Sequence, residues 1–286
     1  MKKLMDKVNF HLMRQAKSSS FKDYFTNRRI NQIGKNTIPK NIGKKIEVNS
    51  TELQEKGYTN LGQFLTETEI DEIKNKIEKF DCYDPFRKEL GDFKISDVPD
   101  EVHVANYKRK ELATLPEILE IANNSDILEA VQEFLGATPT ISNINMWWSM
   151  SGKKEAEQAQ LFHRDVDDFK FCKLFIYFTD VQMENGPHVY VEGSSVSPKL
   201  RKIRRYEDSE IFEAFGKNAV KYFTFSKGTA FLVDTYGFHK GLLPEEGRRL
   251  LFQVQYSLSP IGIENYEPIN IGEHHYDPYI NRLILV

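Results

Sequence analysis

With 286 residues, 40% hydrophobic and 28% charged, the chain has the make-up of a soluble globular protein, which excludes collagenous, coiled-coil and wholly disordered readings. Two cysteines exclude a disulfide scaffold or a cysteine-rich metal module, and the longest apolar run, residues 174–178, is too short to cross a bilayer. The net charge of −3 hides an asymmetry: residues 1–45 hold twelve Lys or Arg against Asp6 and Asp23, a balance of +10, leaving −13 for the remainder. The aromatic content, 20 Phe, 13 Tyr and 2 Trp, favours pleated, half-buried surfaces and so β structure.

The basic arm, residues 1–49, carries Leu4, Met5, Val8, Leu12 and Met13 at helical spacing between lysines, so part of it is expected to be helical. No secretory apolar core follows the first lysines, and a cytoplasmic protein is expected. Two roles compete for the arm. It could dock on an anionic surface, a membrane or a phosphorylated substrate before a nucleic acid, or pack as a helix with its lysines solvated.

Residues 50–262 read as one domain. Thr66 and Glu69 form a capping box, and Ile70, Ile73, Ile77 and Phe80 then share a helical face. Two further helices are expected over 115–135, begun by Pro116 and stopped by Gly136. Beyond Gly136 the texture changes to short segments rich in Phe, Tyr, Val and Ile at 141–150, 172–179, 188–192, 219–225, 229–233 and 249–258. One helix interrupts them, from Asp208 to Gly216. Helices followed by six or more strands predict a mainly β, α+β fold with N-terminal helices on one side. Residues 263–286 are expected to pack on this domain as a tail.

The segment Leu161-Phe162-His163-Arg164-Asp165 carries the chemistry. In an extended backbone His163 and Asp165 point to the same side, which supplies two members of a 2-His-1-carboxylate triad for non-haem Fe(II). The third member should be a histidine on a later strand. His239 lies in a polar break after an apolar strand, as at a barrel rim, whereas His188 opens an outer hairpin and His274 and His275 sit in the tail. Arg249 opens the last strand and could clamp a carboxylate through its planar fork. Arg248 would then face the other way, and an exposed arginine pair is an equal alternative.

These blocks make the chain resemble the phytanoyl-CoA dioxygenase family of Fe(II)- and 2-oxoglutarate-dependent oxygenases, and more closely its bacterial members. The resemblance spans residues 56–258. It runs from Lys56-Gly57-Tyr58 with Phe64-Leu65-Thr66, through Gln160 to Asp165 and Lys173 to Val181, to Asn185-Gly186-Pro187-His188 with Gly193-Ser194, and then His239-Lys240-Gly241 and Arg249-Leu250. It implies a double-stranded β-helix (jelly-roll, cupin-like) core, with His163, Asp165 and His239 as iron ligands. Arg249 would bind the distal carboxylate of 2-oxoglutarate, and Phe178 would wall its pocket. Two positions depart from the family pattern: Ser195 stands where a histidine is frequent, and Gly241 where a serine is frequent.

The implied reaction uses Fe(II), 2-oxoglutarate and O2, releases succinate and CO2, and hydroxylates an unactivated C–H bond of a small molecule. Asn145, Trp147, Trp148 and Gln160 are candidate substrate contacts. The run Lys199, Arg201, Lys202, Arg204, Arg205 falls where family members place a loop over the site; it could steer an anionic or carrier-linked substrate, or form a solvated helix face or hinge. A cupin-like isomerase or epimerase, and a non-catalytic β-helix with a basic docking arm, are the alternatives.

Overall fold

Alternation along the strands decides the layering of the molecule. The computed structural model describes residues 19–286 together with His11 and Arg14; the apolar stripe at Leu4 to Met13 lies outside the described residues. The strands are β1 (Tyr58–Gln63), β2 (Cys82–Tyr83), β3 (Asp92–Phe93), β4 (Val104–Tyr107), β5 (Thr140–Met150), β6 (Phe171–Tyr177), β7 (His188–Val191), β8 (Val220–Phe223), β9 (Thr229–Val233), β10 (His239–Gly241) and β11 (Arg248–Ser257). They form an antiparallel sheet in the order β1-β9-β6-β11-β5-β4-β2-β3, which faces a smaller sheet in the order β10-β7-β8. This is a double-stranded β-helix, mainly antiparallel β.

On β6, Cys172, Leu174, Ile176 and Phe178 are buried on the helix side of the large sheet, as are Leu250, Phe252, Val254 and Tyr256 of β11. The residues between them, Phe175, Tyr177 and Leu251, turn to the other side and meet Phe231 and Val233 of β9 and Tyr190 and Phe223 of the small sheet. Both faces of these strands are buried, so their sequences read as continuous apolar runs. The aromatic excess is thereby placed: between the sheets Phe231 stacks on Phe175 with ring centroids 5.4 Å apart and meets Phe223 edge-on at 5.2 Å, both favourable geometries.

The helices are α1 (Ser19–Ile33), α2 (Ser50–Lys56), α3 (Glu67–Ile77), α4 (Arg109–Leu112), α5 (Pro116–Ala122), α6 (Ser125–Leu135), α7 (Asp208–Phe215) and α8 (Pro278–Asn281). The capping box at Thr66 starts α3, and Ile70, Ile73 and Ile77 are buried. Asn124 caps α6 by accepting from Ile127 N, and Gly136 ends it at φ 86°, a conformation suited to glycine. A Cβ at Gly136 would also meet Ile30 of α1 at 3.2 Å. Glu207, rather than Asp208, supplies the capping box of α7, which covers the outer face of the small sheet with Ile211 against Val189, Val191 and Phe238.

The described part of the basic arm lies against the body. Phe25 stacks on Phe169, Arg29 Nε donates to Ser259 Oγ, and Lys22 Nζ sits 3.1 Å from the centre of the Tyr236 ring. Lys40, Lys44 and Lys45 pair with Glu129, Glu69 and Asp126, so part of the charge asymmetry is complementarity within one molecule. Burial pulls Lys22 down to about 8, although Asp234 opposes the shift. At the other end Ile280, Ile284 and Leu285 join the helix-side core. No helix among the described residues is long and apolar enough to cross a membrane.

One buried acid sets a pH dependence. Asp168 accepts from Phe169 N and Ser259 N, yet burial outweighs these bonds and pushes its carboxyl up to about 7. An unfolded aspartate titrates near 3.9, so between about pH 4 and pH 7 the folded protein holds a proton that the unfolded chain has lost. Stability should therefore fall as pH rises through that window and level off above it. Melting curves at pH 5 and pH 8 should show this loss, with a shallower slope in Asp168→Asn; identical slopes would refute the assignment.

Candidate metal centre

Two antiparallel segments build the site. Residues 162–165 extend the small sheet beyond β10: His163 N donates to His239 O and His239 N to His163 O, both at 3.0 Å, and Asp165 N donates to Thr235 O at 2.9 Å. Directly paired residues put their side chains on one face, so both imidazoles enter the space between the sheets. Asp165, two residues on, follows them there.

The three side chains converge. The ring centroids of His163 and His239 are 4.3 Å apart. His163 Nε2 is 3.5 Å from Asp165 Oδ1 and His239 Nε2 is 3.3 Å from Asp165 Oδ2. One ligand atom from each lies within 4.8 Å of the others. Each ring directs Nδ1 at a carbonyl two residues back, Leu161 O and Gly237 O, both at 2.9 Å. A carbonyl can only accept, so Nδ1 carries the proton and Nε2 keeps a free lone pair.

Electrostatics support the same state. Burial, with His239 adjacent, pushes His163 down to about 3, so it is neutral at physiological pH. Burial works against the charge of Asp165, but Lys173 and the two histidines outweigh it and hold the carboxyl well below its usual range. Two imidazoles whose Nδ1 atoms face backbone carbonyls, with one carboxylate, are the donor set that leaves coordination positions open on a non-haem metal.

Lys173 opens one of the family blocks, where no role is expected of it, and a lysine among the apolar residues of β6 is its signal in the sequence. Its Nζ is 2.7 Å from Asp165 Oδ2 and 3.6 Å from Asp167 Oδ2. Removing one partner of a buried ion pair costs about 3–5 kcal/mol, because the other charge is stranded. Lys173→Met should lower the melting temperature of the metal-free protein accordingly, and a divalent cation should restore more of the loss than it adds to wild type. Equal metal-induced shifts in the two proteins would contradict the pairing.

At one end of the site stands Arg249, 3% exposed. Its Nη2 donates to Ser149 Oγ at 3.0 Å, while its buried Nε and Nη1 have no partner among the described residues. Gly241 leaves the room this requires, since a Cβ there would come 3.0 Å from Arg249 Nη2. Gly241 follows His239 by two residues on the same strand, which puts the guanidinium side about 7 Å further along. Arg248 takes the other face, with its guanidinium 4.5 Å from the Trp148 ring centre.

A cavity of about 240 Å³ joins these groups, and Asn145, Trp147 and Gln160 line it as expected positions. Trp148 and Phe178 do not, which corrects the expectation for both. Strand parity turns them to the helix side, where Trp148 Nε1 donates to Tyr107 Oη at 3.1 Å and Phe178 packs against Phe252. His188 departs from its expected place in the opposite sense. It is buried at the start of β7, its ring 5.5 Å from that of His239, with Nε2 unpartnered among the described residues. The basic run at 199–205 does not line the cavity: Arg204 pairs with Glu210 and Lys199 Nζ donates to Ala214 O. His274 and His275 stack on Tyr276.

A double-stranded β-helix with a converging His-Asp-His set, and a buried arginine at the other end of the same cavity, has the layout of a non-haem Fe(II), 2-oxoglutarate-type centre. The phytanoyl-CoA dioxygenase (PhyH) family matches residues 53–242, and the chain belongs to that family. It is an Fe(II)- and 2-oxoglutarate-dependent enzyme. Its fold is similar to HygX from Streptomyces hygroscopicus, solved with nickel and 2-oxoglutarate bound (16% identity, 82% of this chain and 97% of that one, TM-score 0.56). It is also similar to the non-haem α-ketoglutarate-dependent carbocyclase SnoK from nogalamycin biosynthesis (18% identity, 78% and 86% covered, TM-score 0.54). The epimerase SnoN of the same biosynthesis is a third such structure (14% identity, 72% and 80% covered, TM-score 0.53). Among curated proteins the sequence has no significant match.

Proposed function

We propose that the protein is a dioxygenase that hydroxylates an unactivated C–H bond of a small molecule, with His163, Asp165 and His239 as the iron ligands and Arg249 binding the distal carboxylate of 2-oxoglutarate. The observation that carries this reading is Arg249. A buried guanidinium with two nitrogens, Nε and Nη1, lacking partners among the described residues is costly, and a carboxylate is the partner its fork fits. The cavity runs from this guanidinium to the His-Asp-His set, so one short dicarboxylate could engage both.

When bound, iron, 2-oxoglutarate and O2 supply an oxidative decarboxylation that yields succinate, CO2 and removal of a hydrogen from the substrate. The chain's own residues prepare for it. The Nδ1 bonds aim both imidazoles, Lys173 holds Asp165 by one oxygen, and Arg249 with Ser149 orients the co-substrate. Trp147, Phe175 and Leu251 line the cavity between them and keep water away.

Epimerisation and ring closure are chemistries named for similar folds, and an epimerase must return a hydrogen from the opposite face. Neither Tyr nor Cys is among the described residues lining this cavity, which favours hydroxylation. The test is spectroscopic. Anaerobic Fe(II) plus 2-oxoglutarate should give a weak visible charge-transfer band, and its absence from folded protein would end the oxygenase reading.

A further inference from the structure

The cavity lining mixes two chemistries. Beside the apolar Trp147, Phe175 and Leu251 stand four carboxamides: Asn106 on β4, opposite Trp147, Asn145 on β5, Gln253 on β11, opposite Phe175, and Gln160. The sheet register brings them together, since Asn145 pairs directly with Gln253, and Asn106 with Trp147 two residues further along β5. The side chains of Asn106, Asn145 and Gln253 have no hydrogen-bond partner among the described residues. Gln160 uses Oε1 twice, toward Glu157 N at 2.9 Å and His103 Nδ1 at 3.1 Å, while its Nε2 is buried and unpartnered. Gln253 and Gln160 are each only 6% exposed, and the buried Nε2 of Gln160 carries the desolvation cost of an unmade hydrogen bond. These groups are arranged for something that satisfies them.

Chemistry narrows what that is. A carboxamide offers a donor and an acceptor without charge, which matches hydroxyl groups, each both donor and acceptor, and does not match an alkyl chain. Lys173 is engaged by Asp165 and Asp167, Arg87 by Glu157 and Asp84, and Arg109 by Glu264 and Asn143. Asn106 and Asn145 also border a second hollow of about 600 Å³, reaching Tyr83, Asn143 and Glu264, so there is room for more than one ring. Around this hollow the cations Lys88, Lys108, Arg109 and Lys110 are matched in number by Asp84, Asp92, Glu264 and Glu267. Resting on the oxygenase reading above, we propose that the substrate is an uncharged, hydroxyl-rich molecule of glycoside type. Its hydroxyls are held by Asn106, Asn145, Gln253 and Gln160, and its remainder lies in the outer hollow. It differs from the anionic substrate suggested by the basic run, whose side chains do not line the cavity, although Arg205 lies within electrostatic reach of Asp165.

The experiment uses the full chain and small molecules extracted from its source cells. The extract is divided into anions held by an exchanger, apolar compounds held by a reversed-phase resin, and the neutral polar remainder. Each fraction is incubated with the protein and filtered, and the compounds retained are identified by mass. Retention should come from the neutral polar fraction and vanish after periodate, which cleaves vicinal diols. Asn145→Leu and Gln253→Leu should each weaken it at least tenfold while keeping the Fe(II)·2-oxoglutarate band as proof of an intact centre. Retention confined to anions or apolar compounds, survival of periodate treatment, or no retention from the neutral fraction would overturn the proposal. The band, recorded first on the same protein, reports separately on the oxygenase reading, and retention by metal-free protein still tests the amide site if that reading fails.

Discussion

His239→Ala is expected to remove the visible charge-transfer band and to lower 2-oxoglutarate turnover by about three orders of magnitude, on the order of 4 kcal/mol of barrier. The reason is geometric. His239 is fixed by two backbone bonds to His163 and by its own Nδ1 contact with Gly237 O, so its Nε2 has no freedom that a neighbour could replace. His188 is the nearest alternative imidazole, but it sits on the adjacent strand with its ring stacked on that of His239 and outside the close-set trio. Succinate release and the anaerobic spectrum should be measured on the same preparation, with circular dichroism to show that the variant is folded. A variant that keeps the band and at least a tenth of the turnover would remove His239 from the ligand set.

The second large effect concerns Arg249→Leu, and its signature is a split between stability and binding. The substitution removes two buried nitrogens, Nε and Nη1, that lack partners among the described residues, so the metal-free variant should melt at or above the wild-type temperature despite losing the bond to Ser149. Charge-assisted bonds to a carboxylate contribute about 1.5–3 kcal/mol each. Affinity for 2-oxoglutarate, titrated through the charge-transfer band, should therefore fall by roughly 100-fold or more. Arg249→Lys should recover only part of it, because a point charge cannot reproduce the planar fork. Unchanged affinity in the leucine variant would place the co-substrate carboxylate elsewhere.

Legibility differed from residue to residue for physical reasons. The helix at 67–77 was readable because its capping box and apolar spacing act within one turn of chain. The strands of the core were readable from their β-branched and aromatic runs, whereas β1, β2, β3, β4 and β10 were not. Those strands are short or interrupted, as β1 is by a register shift between Asn60 and Gly62, and neighbours across the sheet hold them. Trp148 and Phe178 illustrate the limit at the site. Each lies in or beside the right strand, one residue out of phase with the cavity, and a shift of one residue reverses the face a side chain meets.

The sequence alone determined what is local: that His163 and Asp165 share a side, that α3 begins at Thr66, and that nothing in the chain has the apolar length of a spanning helix. It also supported the family resemblance, because the five blocks keep their order. The tertiary structure decided what depends on register between strands far apart in the chain. It brought His239 to His163, turned Arg249 rather than Arg248 inward, paired Lys173 with Asp165, and aligned Asn145 with Gln253. It also set three of the arm's lysines against acids of the body, at Glu69, Asp126 and Glu129. A strand's own alternation says which residues share a face; only the partner strands and the covering helices say which face is the site.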